Sequence, residues 1–108
     1  MKALLITVAA TGSLMLAGQA GAADAKAAEA LAQKSGCLAC HSVANKVVGP
    51  AYKDVAAKYK GDKTAEAKLI TKVKAGGSGT WGPIPMPPNS PQVKDEDIKT
   101  IVHWVLSL

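Results

Sequence analysis

The sequence has few of the large residues that normally build a hydrophobic core. It contains no phenylalanine and only two tyrosines, two tryptophans and two cysteines. A chain of 108 residues has room for one domain, and a domain this short buries only a modest fraction of its surface. Small domains of this kind usually depend on disulfides, a metal or a bound cofactor. The scarcity of aromatic residues therefore favours a chain that folds around a bound apolar group.

The sequence also lacks the alternation of apolar and polar residues that is typical of half-buried strands, and it has no internal repeat. Helix-forming composition and helical spacing of apolar residues instead predict an all-α fold with about four helices. The predicted helices cover residues 23–35, 51–60, 65–75 and a last segment that begins at residue 95. Residues 76–92 contain four glycines and five prolines, so this segment is predicted to be a loop.

Residues 1–22 have the pattern of a cleavable export signal, which leaves a mature domain of residues 23–108. Lys2 gives a basic start, an apolar run follows, and Ala20-Gly21-Ala22 has the form that a signal peptidase cleaves. The alternative is an uncleaved anchor, but the run is shorter than the about 20 apolar residues that a membrane span needs. We expect a periplasmic protein with no membrane span in its mature form.

The chain is basic, with 13 lysines and arginines against 8 acidic residues. A nucleic-acid-binding function is disfavoured because no basic cluster is interleaved with aromatic residues, and because export removes the chain from nucleic acid. The excess of positive charge instead suggests acidic partner surfaces.

The motif Cys37-Leu38-Ala39-Cys40-His41 has the C-x-x-C-H spacing that attaches c-type haem. Two thiols three positions apart can add to the two haem vinyl groups, and the next residue supplies an imidazole for the iron. The alternatives are a redox-active dithiol and half of a zinc site. A thioredoxin-like dithiol requires a βαβ context, which the all-helical pattern lacks. A structural zinc site requires four ligands, whereas the sequence has no further cysteine. The motif therefore predicts one covalently bound haem c with Cys37 and Cys40 as attachment points and His41 as an axial ligand.

Met86 is the candidate for the second axial ligand of the iron. It is the only methionine left after the signal is removed, and it lies in the loop rich in glycine and proline. His103 is the alternative ligand, but its spacing from the apolar stripe of the last helix predicts a surface position. A five-coordinate iron is the third possibility. His/Met ligation would close the iron to substrates, which predicts an electron carrier, whereas an open position would indicate a gas-binding sensor or a peroxidase.

Two further segments carry a resemblance to a known family. Residues 49–59, which begin Gly49-Pro50-Ala51-Tyr52, and residues 81–89, which include Met86, are similar to the most recognisable segments of the short bacterial class I cytochromes c, in particular the cytochrome c-551 group. The resemblance covers nearly all of the mature chain. It implies the class I cytochrome c fold, with helices wrapped around one haem, and a soluble periplasmic protein, not an enzyme, that shuttles single electrons between respiratory partners such as a nitrite reductase or a terminal oxidase.

The same resemblance implies roles for individual residues around the haem. It suggests that the Pro50 carbonyl accepts a hydrogen bond from His41, that Asn89 donates to the Met86 sulfur, and that the Trp81 indole reaches a propionate. Where many members place an arginine near a propionate, this sequence has Lys72, which supplies charge without the bidentate geometry.

Four lysines that flank the haem-binding stretch are candidates for docking a redox partner. They are Lys34, Lys46, Lys53 and Lys58. Taken one at a time, each is better interpreted as an ordinary solvated surface lysine. As a set they predict brief, electrostatically steered encounters with acidic redox proteins, and we expect a monomer.

Overall fold

The computed structural model describes residues 17–108, with side chains from Asp24 onward. Its four helices are α1 (Ala17–Lys34), α2 (Tyr52–Lys58), α3 (Ala65–Ala75) and α4 (Asp95–Leu106). A short 3-10 turn, Cys37–Ala39, follows α1, and two short strands, β1 (Gly77–Gly79) and β2 (Gly82–Met86), lie between α3 and α4. The predicted four-helix fold is confirmed. Helix α1 begins earlier than predicted; most of the predicted export signal lies outside the described residues, and the signal stays a prediction.

Helix α4 forms the centre of the domain. Its first turn carries three acidic residues, which suit the positive end of the helix dipole. Its apolar face is buried, and Ile98 is fully enclosed. This face packs against α1, α2 and α3. Truncating a side chain as enclosed as Ile98 to alanine typically costs about 2–5 kcal/mol, so this face of α4 contributes strongly to the stability of the fold.

Helix α1 uses small residues to approach the core. Ala28 and Ala32 are 2% and 0% exposed, and both belong to the main hydrophobic cluster. The same cluster includes Tyr52 and Val55 from α2 and Trp104 from α4. Two of the chain's four aromatic residues therefore lie at the junction of the helices, and both are close to the C-x-x-C-H motif.

The prediction that residues 76–92 form only a loop was wrong for residues 77–86. Strands β1 and β2 pair antiparallel, with Gly77 opposite Met86 and Gly79 opposite Gly82. A two-residue turn at Thr80 and Trp81 joins them. The prolines are compatible with this hairpin because the sheet has only two strands, so each strand has one edge that needs no hydrogen-bond partner.

Candidate haem site

The C-x-x-C-H motif lies in a tight turn directly after α1. Gly36 adopts φ 83° and ψ 4°, a left-handed conformation that ends the helix. The Cys37 carbonyl then accepts hydrogen bonds from the backbone N–H groups of Cys40 and His41, at 3.2 and 3.0 Å. Both cysteines are half-buried free thiols, and burial raises the pKa of Cys37 above its ordinary value. The turn thus presents two thiols and an imidazole from five consecutive residues.

The orientation of His41 is set by the segment that follows the motif. His41 Nδ1 lies 2.8 Å from the Pro50 carbonyl oxygen, to which a protonated Nδ1 donates. Gly49 backs the same ring so closely that an added Cβ would collide with Cε1 and lie 2.9 Å from Nδ1 and 3.0 Å from Nε2. Engagement of Nδ1 fixes the tautomer and leaves Nε2 with its lone pair for a metal. The structure therefore contains the hydrogen bond that the resemblance implied.

Tyr52 is the residue of this site that the sequence did not reveal. Its ring stacks on the His41 imidazole, with the ring centroids 4.9 Å apart and the planes inclined by 19°. Burial, followed by the neighbouring Cys37 thiol, raises the pKa of Tyr52 far above its usual range. Tyr52 stands only two positions after Pro50, so the sequence placed it near the site, but no spacing rule indicates a stack between a histidine and a tyrosine eleven residues apart.

Met86, at the end of β2, borders the same cavity as Cys37 and His41. The cavity measures about 80 Å³. Its remaining lining is apolar except for Tyr52 and Lys72, and it comprises Val55, Leu69, Val73, Ile101, Val102 and Val105. A second cavity of about 230 Å³ shares Leu69, Lys72 and Met86 with the first and extends to Trp81. The sequence-predicted axial ligands are thus brought to one cavity from distant parts of the chain.

The donor set and the lining together fit a haem. Thiols for the vinyl groups, an imidazole with a free Nε2 and a thioether are the groups that hold a c-type haem. Apolar side chains suit the faces of a porphyrin. Lys72 and the indole of Trp81 border the second cavity and supply the polar donors that propionates need. Contacts of these two residues with propionates stay predictions.

The Asn89 side chain is bonded to backbone carbonyls in the structure, and its expected donation to the Met86 sulfur stays a prediction. Its side-chain Nδ2 donates to the Val73 carbonyl at 3.1 Å and to the Pro87 carbonyl at 3.3 Å. Its backbone N–H also donates to Val73, at 3.1 Å. The carbonyls in the last turn of a helix lack partners within the helix, and Asn89 satisfies one of them at the end of α3. Asn89 therefore fastens the segment after Met86 to α3.

Trp81 lies at the tip of the hairpin and is 42% exposed. The ammonium of Lys58 lies 5.5 Å from the centre of the Trp81 ring and 6.0 Å from that of Tyr59. Such cation–π contacts contribute about 0.5–1 kcal/mol at exposed sites. Lys58 thus links α2 to the hairpin next to the second cavity.

The four candidate docking lysines are all exposed, but they do not share one setting. Lys46 pairs through its backbone with His41, and Lys58 contacts Trp81. Lys53 instead lines a separate groove with Lys60 and Lys63, and neither His41 nor Met86 borders that groove. Lys46 and Lys58 therefore each have a direct structural connection to the candidate site.

His103 is exposed on α4, as the helical spacing predicted. Its side chain is 79% accessible, and its Nδ1 lies 4.0 Å from a carboxylate oxygen of Glu66. It lines neither cavity that Met86 borders. In this structure the alternative axial ligand is therefore on the outside of the domain.

Comparison with known proteins gives the class of the chain. Residues 25–108 match the family model for cytochrome c. Cytochrome c-551 of Allochromatium vinosum is 62% identical over 78 residues, which cover 72% of this chain and 82% of that protein. Cytochrome c-551 of Pseudomonas aeruginosa is 50% identical over 103 residues, which cover 95% of this chain and 93% of that protein. The crystal structure of wild-type Nitrosomonas europaea cytochrome c552 superposes with a TM-score of 0.71 at 52% identity, and covers 74% of this chain and 98% of that one.

The chain belongs to the cytochrome c family and has the class I cytochrome c fold. It is a haem-based electron carrier with one covalently attached haem c, and not an enzyme. Membership of this family removes the redox-dithiol and zinc interpretations of the motif. Among the described helices, none is long and apolar enough to cross a membrane.

Proposed function

We propose that this chain carries single electrons in the periplasm through a haem attached at Cys37 and Cys40, with His41 and Met86 as the axial ligands of the iron. When bound, the haem supplies the Fe(II)/Fe(III) couple. The observation that carries the proposal is the convergence of Cys37, His41 and Met86 on one apolar cavity. A donor pair of imidazole and thioether favours Fe(II) and raises the reduction potential.

The chain's own residues explain why such a site would transfer electrons and do little else. The hydrogen bond from His41 Nδ1 to Pro50 fixes the tautomer and the direction of the imidazole, and the hairpin holds Met86 in place. Apolar side chains around the cavity exclude water and lower the local dielectric constant. If both oxidation states keep the same ligands, little has to rearrange during electron transfer.

The partners that we propose are redox proteins with acidic docking surfaces, approached by the monomer. This part of the proposal is supported by the excess of lysine over acidic residues and by the exposed positions of Lys46 and Lys58 beside the site. Complementary charge accelerates encounter, and the acceleration declines with added salt.

The test of the ligand set is optical and electrochemical. The oxidised protein should show the weak far-red charge-transfer band of ferric haem with a methionine ligand, and the reduced protein should bind carbon monoxide slowly. A Met86→His variant should keep its haem, lose the band and have a lower reduction potential, because a second imidazole stabilises Fe(III) relative to a thioether. Absence of the band from the unmodified protein at neutral pH, with rapid carbon monoxide binding, would favour an open iron and a sensor or peroxidase instead.

A further inference from the structure

We propose that Tyr52 is a positioning residue that fixes the plane of the His41 imidazole and, through it, the electronic state of the iron. The proposal rests on the proposed function, because it assumes that His41 binds the iron. It assigns to Tyr52 a role that neither the motif nor the hydrogen bond to Pro50 supplies.

One hydrogen bond alone cannot fix the plane of the His41 ring. The bond between His41 Nδ1 and the Pro50 oxygen defines a single direction, and the imidazole can still rock about that direction. The Tyr52 ring lies almost parallel to the imidazole, at a centroid distance of 4.9 Å. This is within the range in which stacked rings interact, and it opposes rotation because the imidazole would have to push into the phenol.

The Tyr52 ring is itself held in place by its neighbours. It is 7% exposed, and the edge of Trp104 meets its ring at 5.6 Å with the planes at 78°. Its backbone N–H donates to the Ser42 carbonyl at 2.9 Å, next to the motif. Trp104 is in turn buried on the central helix α4. A continuous series of packed rings, His41, Tyr52 and Trp104, therefore joins the axial ligand to the core of the fold.

A fixed imidazole plane has an electronic consequence at the iron. The orientation of an axial imidazole plane governs its π overlap with the iron d orbitals, and so the magnetic anisotropy of the ferric centre. A single fixed plane gives one narrow set of paramagnetically shifted resonances for the His41 ring, whereas a rocking plane gives shifted or broadened ones. These resonances report the plane directly, and a general loss of stability does not move them.

The experiment compares variants of the mature haem protein by NMR of the ferric form and by redox titration. Tyr52→Phe keeps the ring, so the His41 resonances should stay close to those of the unmodified protein. Tyr52→Leu removes the ring, so these resonances should move or broaden. At a fixed solution potential the Fe(II)/Fe(III) ratio should fall at least threefold, because water gains access to the site. At 59 mV per tenfold change, this corresponds to a reduction potential that is lower by about 28 mV.

The matched control is Tyr59→Leu, the same chemical change in the other tyrosine. Tyr59 packs against the core at the end of α2, but its ring is not stacked on His41. The His41 resonances of this variant should remain in place. If Tyr52→Leu leaves them in place as well, or if Tyr59→Leu moves them equally, Tyr52 has no specific positioning role.

A measurement on the unmodified protein decides the question if Tyr52→Leu fails to mature. In the diamagnetic reduced form, cross-relaxation between the ring protons of Tyr52 and His41 is expected at the stacked distance, and its absence would overturn the proposal. An unmodified protein whose haem lacks a coordinated histidine would contradict the proposed function itself. A coordinated histidine that is indifferent to Tyr52 would contradict only the positioning role.

Discussion

A methyl group added at Gly76 should disturb both the fold and the placement of Met86. Gly76 follows α3 with φ 70° and ψ −164°, a region that residues other than glycine essentially never occupy and that costs about 1–3 kcal/mol. Its added Cβ would collide with the Met86 carbonyl oxygen and lie 2.8 Å from Pro88 N and 2.9 Å from Pro87 C. These are backbone atoms, which cannot rotate away, and overpacking of this kind adds about 1–3 kcal/mol.

The two penalties add to an expected destabilisation of about 2–6 kcal/mol for Gly76→Ala, with a middle value of about 4 kcal/mol. Gly61→Ala is the control, since Gly61 also has a positive φ, of 79°, but nothing lies within 4 Å of its added Cβ. The left-handed penalty alone is about 1–2 kcal/mol. The destabilisation of Gly76→Ala should exceed that of Gly61→Ala by about 2 kcal/mol, which corresponds to a Tm lower by about 8–16 °C for a domain of this size.

Thermal unfolding followed by circular dichroism measures the stability of the two variants, and the far-red charge-transfer band reports the methionine ligand. Gly76→Ala should weaken that band well below its Tm, because relief of the collision displaces β2 at Met86. Gly61→Ala should keep the band. Equal melting temperatures for the two variants, together with an intact band in Gly76→Ala, would refute the reasoning.

Three other perturbations follow from contacts outside the cavity. Asn89→Ala should lower the free energy of unfolding, measured in urea, by about 1–3 kcal/mol, because it removes the side-chain bonds to Val73 and Pro87. Ser90→Ala should change this free energy little. Equal changes for the two variants would contradict the fastening role of Asn89. Asp62→Asn should lower the Tm at pH 7, since hydrogen bonds from Thr64, aided by Lys68, lower the pKa of the exposed Asp62 carboxyl below its ordinary value of 3.8. A lowered pKa stabilises the fold above the unfolded-state value and loses that effect as pH falls through the folded-state value, so a difference that persists unchanged to about pH 2 would be inconsistent with it. Lys58→Glu should slow oxidation by ferricyanide at low ionic strength more than Lys53→Glu does, and about 1 M salt should remove the difference; equal slowing would place both lysines at the same distance from the site of transfer.

Much of the site could be predicted from the sequence because covalent spacing determines it. The interval between Cys37 and Cys40 and the adjacency of His41 hold in any fold, and Met86 was found by counting methionines in the mature chain. The boundaries of α3 and α4 also followed from local composition and helical spacing. Each of these features depends on a short stretch of residues.

The features that required the tertiary structure are contacts between residues far apart in the chain. The pairing of Gly77 with Met86 depends on the bend of the backbone at Gly76, whereas composition predicted only a loop there. The destination of the Asn89 amide was decided by the free carbonyl at the end of α3, which lies sixteen residues earlier. The stack of Tyr52 on His41 arises because α2 is pressed against α4 through Trp104. The sequence thus determined which groups can hold the haem, whereas the packing of the helices decided how firmly each group is held, because orientation depends on neighbours that no local pattern specifies.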